Sequence, residues 1–155
     1  MGRARVHAPL FVILHSEMDF KLNKDEKLCS RTAVERLFGE GKSLMAFPVR
    51  AAYRLRPRGE QPVQFLISIP KKRIRKAVQR VTLRRRVREA YRLNRRELLL
   101  PTLEQEGWGV DIAFVYLDTT MAPYDVIQEK VTSLLTRIAQ AAAEQQPVTE
   151  DPQQP

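Results

Sequence analysis

An α/β sandwich, a small mixed sheet with helices in the order α-β-β-α-β-α, is the fold this sequence predicts. Three observations carry that expectation. Phe47 to Leu55 alternates Val49, Ala51, Tyr53 and Leu55 against Arg50, Ala52 and Arg54, the period of a half-buried strand. Asp111 to Leu117 is almost wholly apolar and reads as a central strand buried on both faces. The arginine-rich segment between them repeats apolar residues at helical spacing, so a helix connects strand to strand.

Taken in order, residues 1 to 20 show neither helical nor strand period, and a methionine recurs at Met18. The folded protein is expected to begin near Phe20, with residues 1 to 20 a disordered or non-native arm, the first seventeen being either a floppy extension or the product of an upstream start codon. From Leu28 the pattern turns helical. Ser30 or Thr32 can cap a first turn, Val34, Leu37 and Phe38 form an apolar stripe, and Gly39 and Gly41 end it, which predicts a helix over about Arg31 to Glu40. The strand from Phe47 to Leu55 leads through turn residues 57 to 62 into a second strand, Val63 to Ile69, and the short link predicts an antiparallel hairpin.

Pro70 ends that strand, and a basic loop from Lys71 to Lys76 delivers the chain into the arginine-rich helix, which Pro101 is expected to stop. Within it Leu83, Val87, Ala90, Tyr91 and Leu98 share one side, while Arg84, Arg88, Arg92 and Arg95 or Arg96 flank the other. After the buried strand, Asp125 to Ala143 closes the domain as an amphipathic helix, with room in the chain for one further short strand. Residues 21 to 144 form a single domain, and the polar, proline-rich residues 145 to 155 read as a disordered tail.

The charge is unevenly placed. Lys71 to Arg96 holds 13 of the 27 basic residues against one acid, Glu89, whereas residues 97 to 155 carry 2 basic and 10 acidic groups. So dense a run repels itself unless a polyanion lies across from it, and arginine outnumbers lysine there ten to three. The guanidinium fork matches phosphate oxygens bidentately and its plane stacks on bases, so the pattern points to nucleic acid. A merely solvated face would mix its signs. The apolar run from Pro9 to Leu14 is too short for a signal-peptide core or a membrane span, and the single cysteine, Cys29, cannot form an internal disulfide, which fits an intracellular setting.

Catalytic groups are sparse. A metal-dependent nuclease needs carboxylates or histidines clustered beside the surface that holds its substrate. His7 and His15 lie in the arm, Asp111 and Asp118 flank the buried strand, and Glu89 reads as an i,i+4 partner of Arg85. Neither a catalytic residue nor a metal ligand is therefore assigned. Phe38, Phe47, Tyr53 and Phe65 come from the first helix and the expected hairpin; each reads as core in the first place, and one on an open sheet face would be a platform for stacking a single strand.

KLCSRTAVERLFGEGKS, then FLISIPKK, then AVQRVTLRRRVREAYRL together resemble the protein subunit of bacterial ribonuclease P, over about residues 27 to 135. The family's A-V-x-R-N-R-x-K-R-x-x-R-E motif maps onto Ala77, Val78, Arg80, Arg84, Arg85, Arg88 and Glu89, preceded by the pair Lys71 and Lys72. Val81 stands where the family has asparagine, Thr82 where it usually has arginine, and Val34 where it has phenylalanine. The resemblance implies a left-handed β-α-β crossover through the basic helix, an exception to the usual rule. It also implies a cytoplasmic partner of ribonuclease P RNA and precursor tRNA, with hydrolysis performed by the RNA and its Mg²⁺ ions. Lys71, Lys72, Arg80, Arg84, Arg85, Arg88 and Arg92 would then bind RNA, with Phe38 and Tyr53 on its single-stranded 5′ leader. Two rival readings of the basic helix are a ribosomal-type structural RNA-binding protein and a major-groove DNA reader. The second lacks the short preceding helix and turn of a helix-turn-helix.

Overall fold

The computed structural model describes residues 26–28, 30–59 and 61–145. The expectations for the arm, for Cys29 and for the tail beyond Gln145 lie outside them. The chain runs α1 (Arg31–Glu40), β1 (Lys42–Ala46), β2 (Val49–Pro57), β3 (Val63–Ser68), α2 (Ala77–Leu98), α3 (Leu100–Glu106), β4 (Trp108–Tyr116) and α4 (Tyr124–Glu144). The mixed α+β class is as predicted. Among the described residues no helix is long and apolar enough to cross a membrane.

One topological expectation is overturned. β2 and β3 do not form a hairpin, because β4 lies between them in a sheet ordered β1-β2-β4-β3. β2 pairs antiparallel with β4 along all nine residues of each, and β3 pairs parallel with β4. The reason is burial: a strand apolar on both faces gains most where both of its edges are also occupied, so β4 takes a central position. The loop between β2 and β3 crosses the start of β4. Arg56 holds it there, donating to the Asp111 carboxylate at 2.9 Å and to the Gln61 carbonyl at 2.9 Å. Gly109 leaves room for this, since a Cβ there would collide with the Arg56 guanidinium.

Pro101 does not end the long helix. α2 stops at Leu98, the backbone breaks at Leu99, and Pro101 occupies the first turn of α3, where its missing N–H has no intrahelical partner to lose. Gly107, with φ of 77°, closes α3 by donating to Leu103.

Two apolar clusters share the sheet. Val49, Ala51 and Tyr53 of β2 join alternate residues of β4 and the inner sides of α2 and α4 in the large core, while Ala52, Ala113 and Leu66 meet Leu28, Leu37 and Val34 on the opposite face under α1. Tyr91 sits centrally in the large core, its ring 4.4 Å from Phe65 and 5.9 Å from Phe114. Arg95, expected on the exposed basic flank, is only 5% exposed. The segment before α1 covers it: Lys27 bridges Phe65 in parallel, Leu28 donates to the Phe65 carbonyl, and Glu26 meets Arg95 at 2.6 Å.

Candidate nucleic-acid interface

The basic surface begins in the loop after β3. Pro70 accepts hydrogen bonds from the amides of Arg73 and Ile74, which closes a turn and leaves Lys71 and Lys72 exposed on it. Arg80 fixes the other end of the loop. Its guanidinium, half-buried, donates to the carbonyls of Ile74 at 2.9 Å and Arg75 at 2.7 Å. Predicted as an RNA ligand, Arg80 already serves the backbone that presents Lys71 and Lys72.

Along α2, Leu83, Val87, Ala90 and Tyr91 turn inward and commit the helix to one orientation. Arg84, Arg85 and Arg88 are consequently exposed, and among the described residues none of the three makes an ion pair or a side-chain hydrogen bond. Arg92 differs. It is half-buried and grips Glu89 through two donors, at 2.6 and 3.1 Å. The expected Glu89–Arg85 pair does not form, because the Arg92 guanidinium one turn on takes the carboxylate in a two-pronged contact. Hydrogen bonding from Arg92 holds the Glu89 carboxyl below its usual range, and the same contact pushes Arg92 up. Arg86 turns the other way and donates to the Ala122 carbonyl at 2.6 Å, which ties the helix to the approach to α4.

Between α2 and the start of α4 these side chains leave an open groove of about 620 Å³, walled by Arg85, Arg86, Arg88, Glu89, Arg92 and Tyr124. Burial, then the nearby Glu89 carboxylate, pushes the Tyr124 hydroxyl up. The groove is therefore cationic with a neutral phenol, chemistry suited to phosphate oxygens.

The two stacking candidates are not brought together. Phe38 is 49% exposed on α1, so it is not a core residue. Tyr53 is 5% exposed and lies in the large core on the opposite face of the sheet, beneath α4, and burial raises its hydroxyl pKa. As a base platform Tyr53 is a correction: strand alternation sends it to the buried side together with Val49 and Ala51. The α1 face of β2 instead presents Arg50, Arg54 and Arg56, which share the parity of Ala52. Arg54 pairs with Glu40 at the end of α1 at 3.3 Å, Arg56 with buried Asp111, and Arg50 reaches Ser43 on β1. The alternation of Phe47 to Leu55 already placed Arg50 and Arg54 together, on the face opposite Val49, Ala51 and Tyr53, and was the available signal for a second basic surface.

Among the described residues no group of three or more His, Cys, Asp or Glu is placed to hold a metal ion. Asp111 is spent on Arg56, and Asp118 accepts from the amides of Thr119 and Thr120 in its own turn.

Fold and surface together define a mixed α+β protein whose crossover helix, between the parallel neighbours β3 and β4, carries a polycationic outer face. Residues 22–139 match the family model for ribonuclease P, and the chain belongs to that family. It is 36% identical over 125 residues to the ribonuclease P protein component of Porphyromonas gingivalis, covering 80% of this chain and 90% of the relative. The fold is similar to that of the ribonuclease P protein of Thermotoga maritima, with a TM-score of 0.58 and 26% identity over 72% of this chain and 96% of that one. A ribonuclease P protein of Staphylococcus aureus superposes with a TM-score of 0.59 at 18% identity, over 83% of this chain and 96% of that one, and supports the fold.

Proposed function

We propose that this chain is the protein subunit that assists a catalytic RNA in removing the 5′ leader of precursor tRNA. The observation that carries the reading is the row of exposed arginines without partners among the described residues, Arg84, Arg85 and Arg88, on the helix that follows the exposed pair Lys71 and Lys72 in a chain of the ribonuclease P family. A helix face that repels itself in the isolated protein is stabilised when phosphates replace its counterions. Arg92 joins this surface through the groove, and Arg80 supports it by holding the lysine loop.

Leader binding belongs to the other side of the sheet in this reading. Phe38 supplies a base platform at the edge of α1, and Arg50 and Arg54 supply cations on the face that α1 borders. In this reading the hydrolysis belongs to the RNA with its Mg²⁺, as the family resemblance implies. The deciding experiment is reconstitution: added to ribonuclease P RNA at low Mg²⁺, the chain should restore cleavage of precursor tRNA. Binding to the RNA without any gain in cleavage would favour a structural RNA-binding role instead.

A further inference from the structure

The outward side of α2 is not uniformly charged. Val78, Val81, Arg85, Arg88 and Arg92 follow one another at intervals of three, four, three and four residues, so they form a single stripe along the helix. It lies opposite the inward set of Leu83, Val87, Ala90 and Tyr91. Its first two members are apolar and open: Val78 is 76% exposed and Val81 is 45% exposed. Single exposed apolar residues need no explanation. These two are neighbours one turn apart, in line with the arginines, and β-branched residues do not favour the helix they stand on. Folding gains little from them where they are.

We infer that Val78 and Val81 form an apolar step that packs on the sugar and base edges of the bound RNA, while the arginines further along the stripe hold its phosphates. The inference rests on the reading above that this face binds RNA, and it adds a contact that carries no charge. RNA is favoured as the occupant by the surroundings. Arg75, Lys76, Arg84 and Arg85 frame the step, and the segment 71 to 96 has 13 basic residues to one acid, so an approaching surface must be strongly anionic. A second copy of this basic helix would be repelled.

The chemistry separates the two kinds of contact. Phosphate contacts release counterions and set the salt slope of binding, whereas an apolar contact shifts affinity equally at every salt concentration. The test is the full chain carrying Val78→Ser and Val81→Ser, titrated with ribonuclease P RNA across a KCl series beside Arg85→Ala and Arg88→Ala. We expect about tenfold weaker binding by the valine variant at every salt, with its slope unchanged. Val78→Ser alone, at the most exposed position, should give about threefold and guards against any effect of the pair on folding. Unchanged affinity in both valine variants overturns the inference. So does a lowered slope, which would make the valines mere supports for the arginines. Self-association of the native chain that the double variant abolishes, seen by sedimentation, would assign the step to a second copy and overturn it too. If the arginine variants also leave the slope unchanged, the RNA-binding reading itself fails; if they lower it and the valine variants are silent, only the apolar step falls.

Discussion

Arg88 and Arg95 lie two turns apart on one helix, carry the same side chain, and live in opposite environments. Arg88 is exposed and has no partner among the described residues, while Arg95 is buried, paired with Glu26 and 5.9 Å from the ring of Tyr91. Helix spacing does not separate them, since a separation of seven residues is almost two full turns and sets both on the same side of the helix. The difference comes from what covers each turn: open solvent at Arg88, and at Arg95 the segment before α1 laid along β3. A basic run is thus two populations, one holding the fold and one left over for a polyanion.

The largest expected effect tests the buried member. Arg95→Ala takes the guanidinium away from buried Glu26 and should cost about 3–5 kcal/mol in urea unfolding, with no change in the salt slope of RNA binding for the fraction that remains folded. Replacing both partners together, Glu26→Leu with Arg95→Met, should recover most of that loss, because removing a buried pair whole is often neutral. A small effect of Arg95→Ala would mean the pair is as dispensable as a surface one, and the comparison would collapse.

Phe38 and Tyr53 offer the same contrast on the sheet. Tyr53→Ala should cost about 3–5 kcal/mol of stability, as expected for a large aromatic cut from a packed core. Phe38→Ala should change thermal stability little and weaken binding of leader-bearing substrate by about 1–3 kcal/mol, leaving mature tRNA nearly unaffected. Equal stability losses at the two positions would remove Phe38 from the site.

On the exposed side, Arg84→Ala, Arg85→Ala and Arg88→Ala should each leave stability within about 0.5 kcal/mol and lower the salt slope by about 0.7–1. The smallest effect belongs to Glu89. Because its folded pKa is lowered, the pair with Arg92 contributes stability above the unfolded carboxylate value, and the contribution fades as pH falls through the folded one. Glu89→Gln should therefore flatten the acid limb of the stability profile, by less than about 1 kcal/mol given the exposure of the pair. An acid limb identical in the two proteins would leave Arg92 free of Glu89 in solution.

Much of this was legible in the residues themselves. The helix at Arg31 to Glu40 and the closing helix follow from a period of 3.6, which local side-chain placement imposes whatever the surroundings, and the buried strand near Asp111 follows from an almost unbroken apolar run. The inward stripe Leu83, Val87, Ala90 and Tyr91 was equally determined, and with it the placing of Arg84, Arg85 and Arg88 off that stripe, because a helix that buries one side turns the other away. The family motif in α2 is likewise a property of the chain.

Only the tertiary structure decided who stands next to whom. That β4 separates β2 from β3 depends on pairing between residues some sixty positions apart, as Tyr53 with Ile112, and a short loop between two strands carries no information about a third. That Arg95 is a core residue depends on Glu26, 69 positions away, and that Arg56 bridges to Asp111 depends on a contact 55 positions long. Alternation told that Tyr53 and Arg54 face opposite ways, but which way is the core was set by α4 packing on one side and α1 on the other. Local pattern determines direction along an element; burial and charge pairing, which need distant partners, determine what that direction meets.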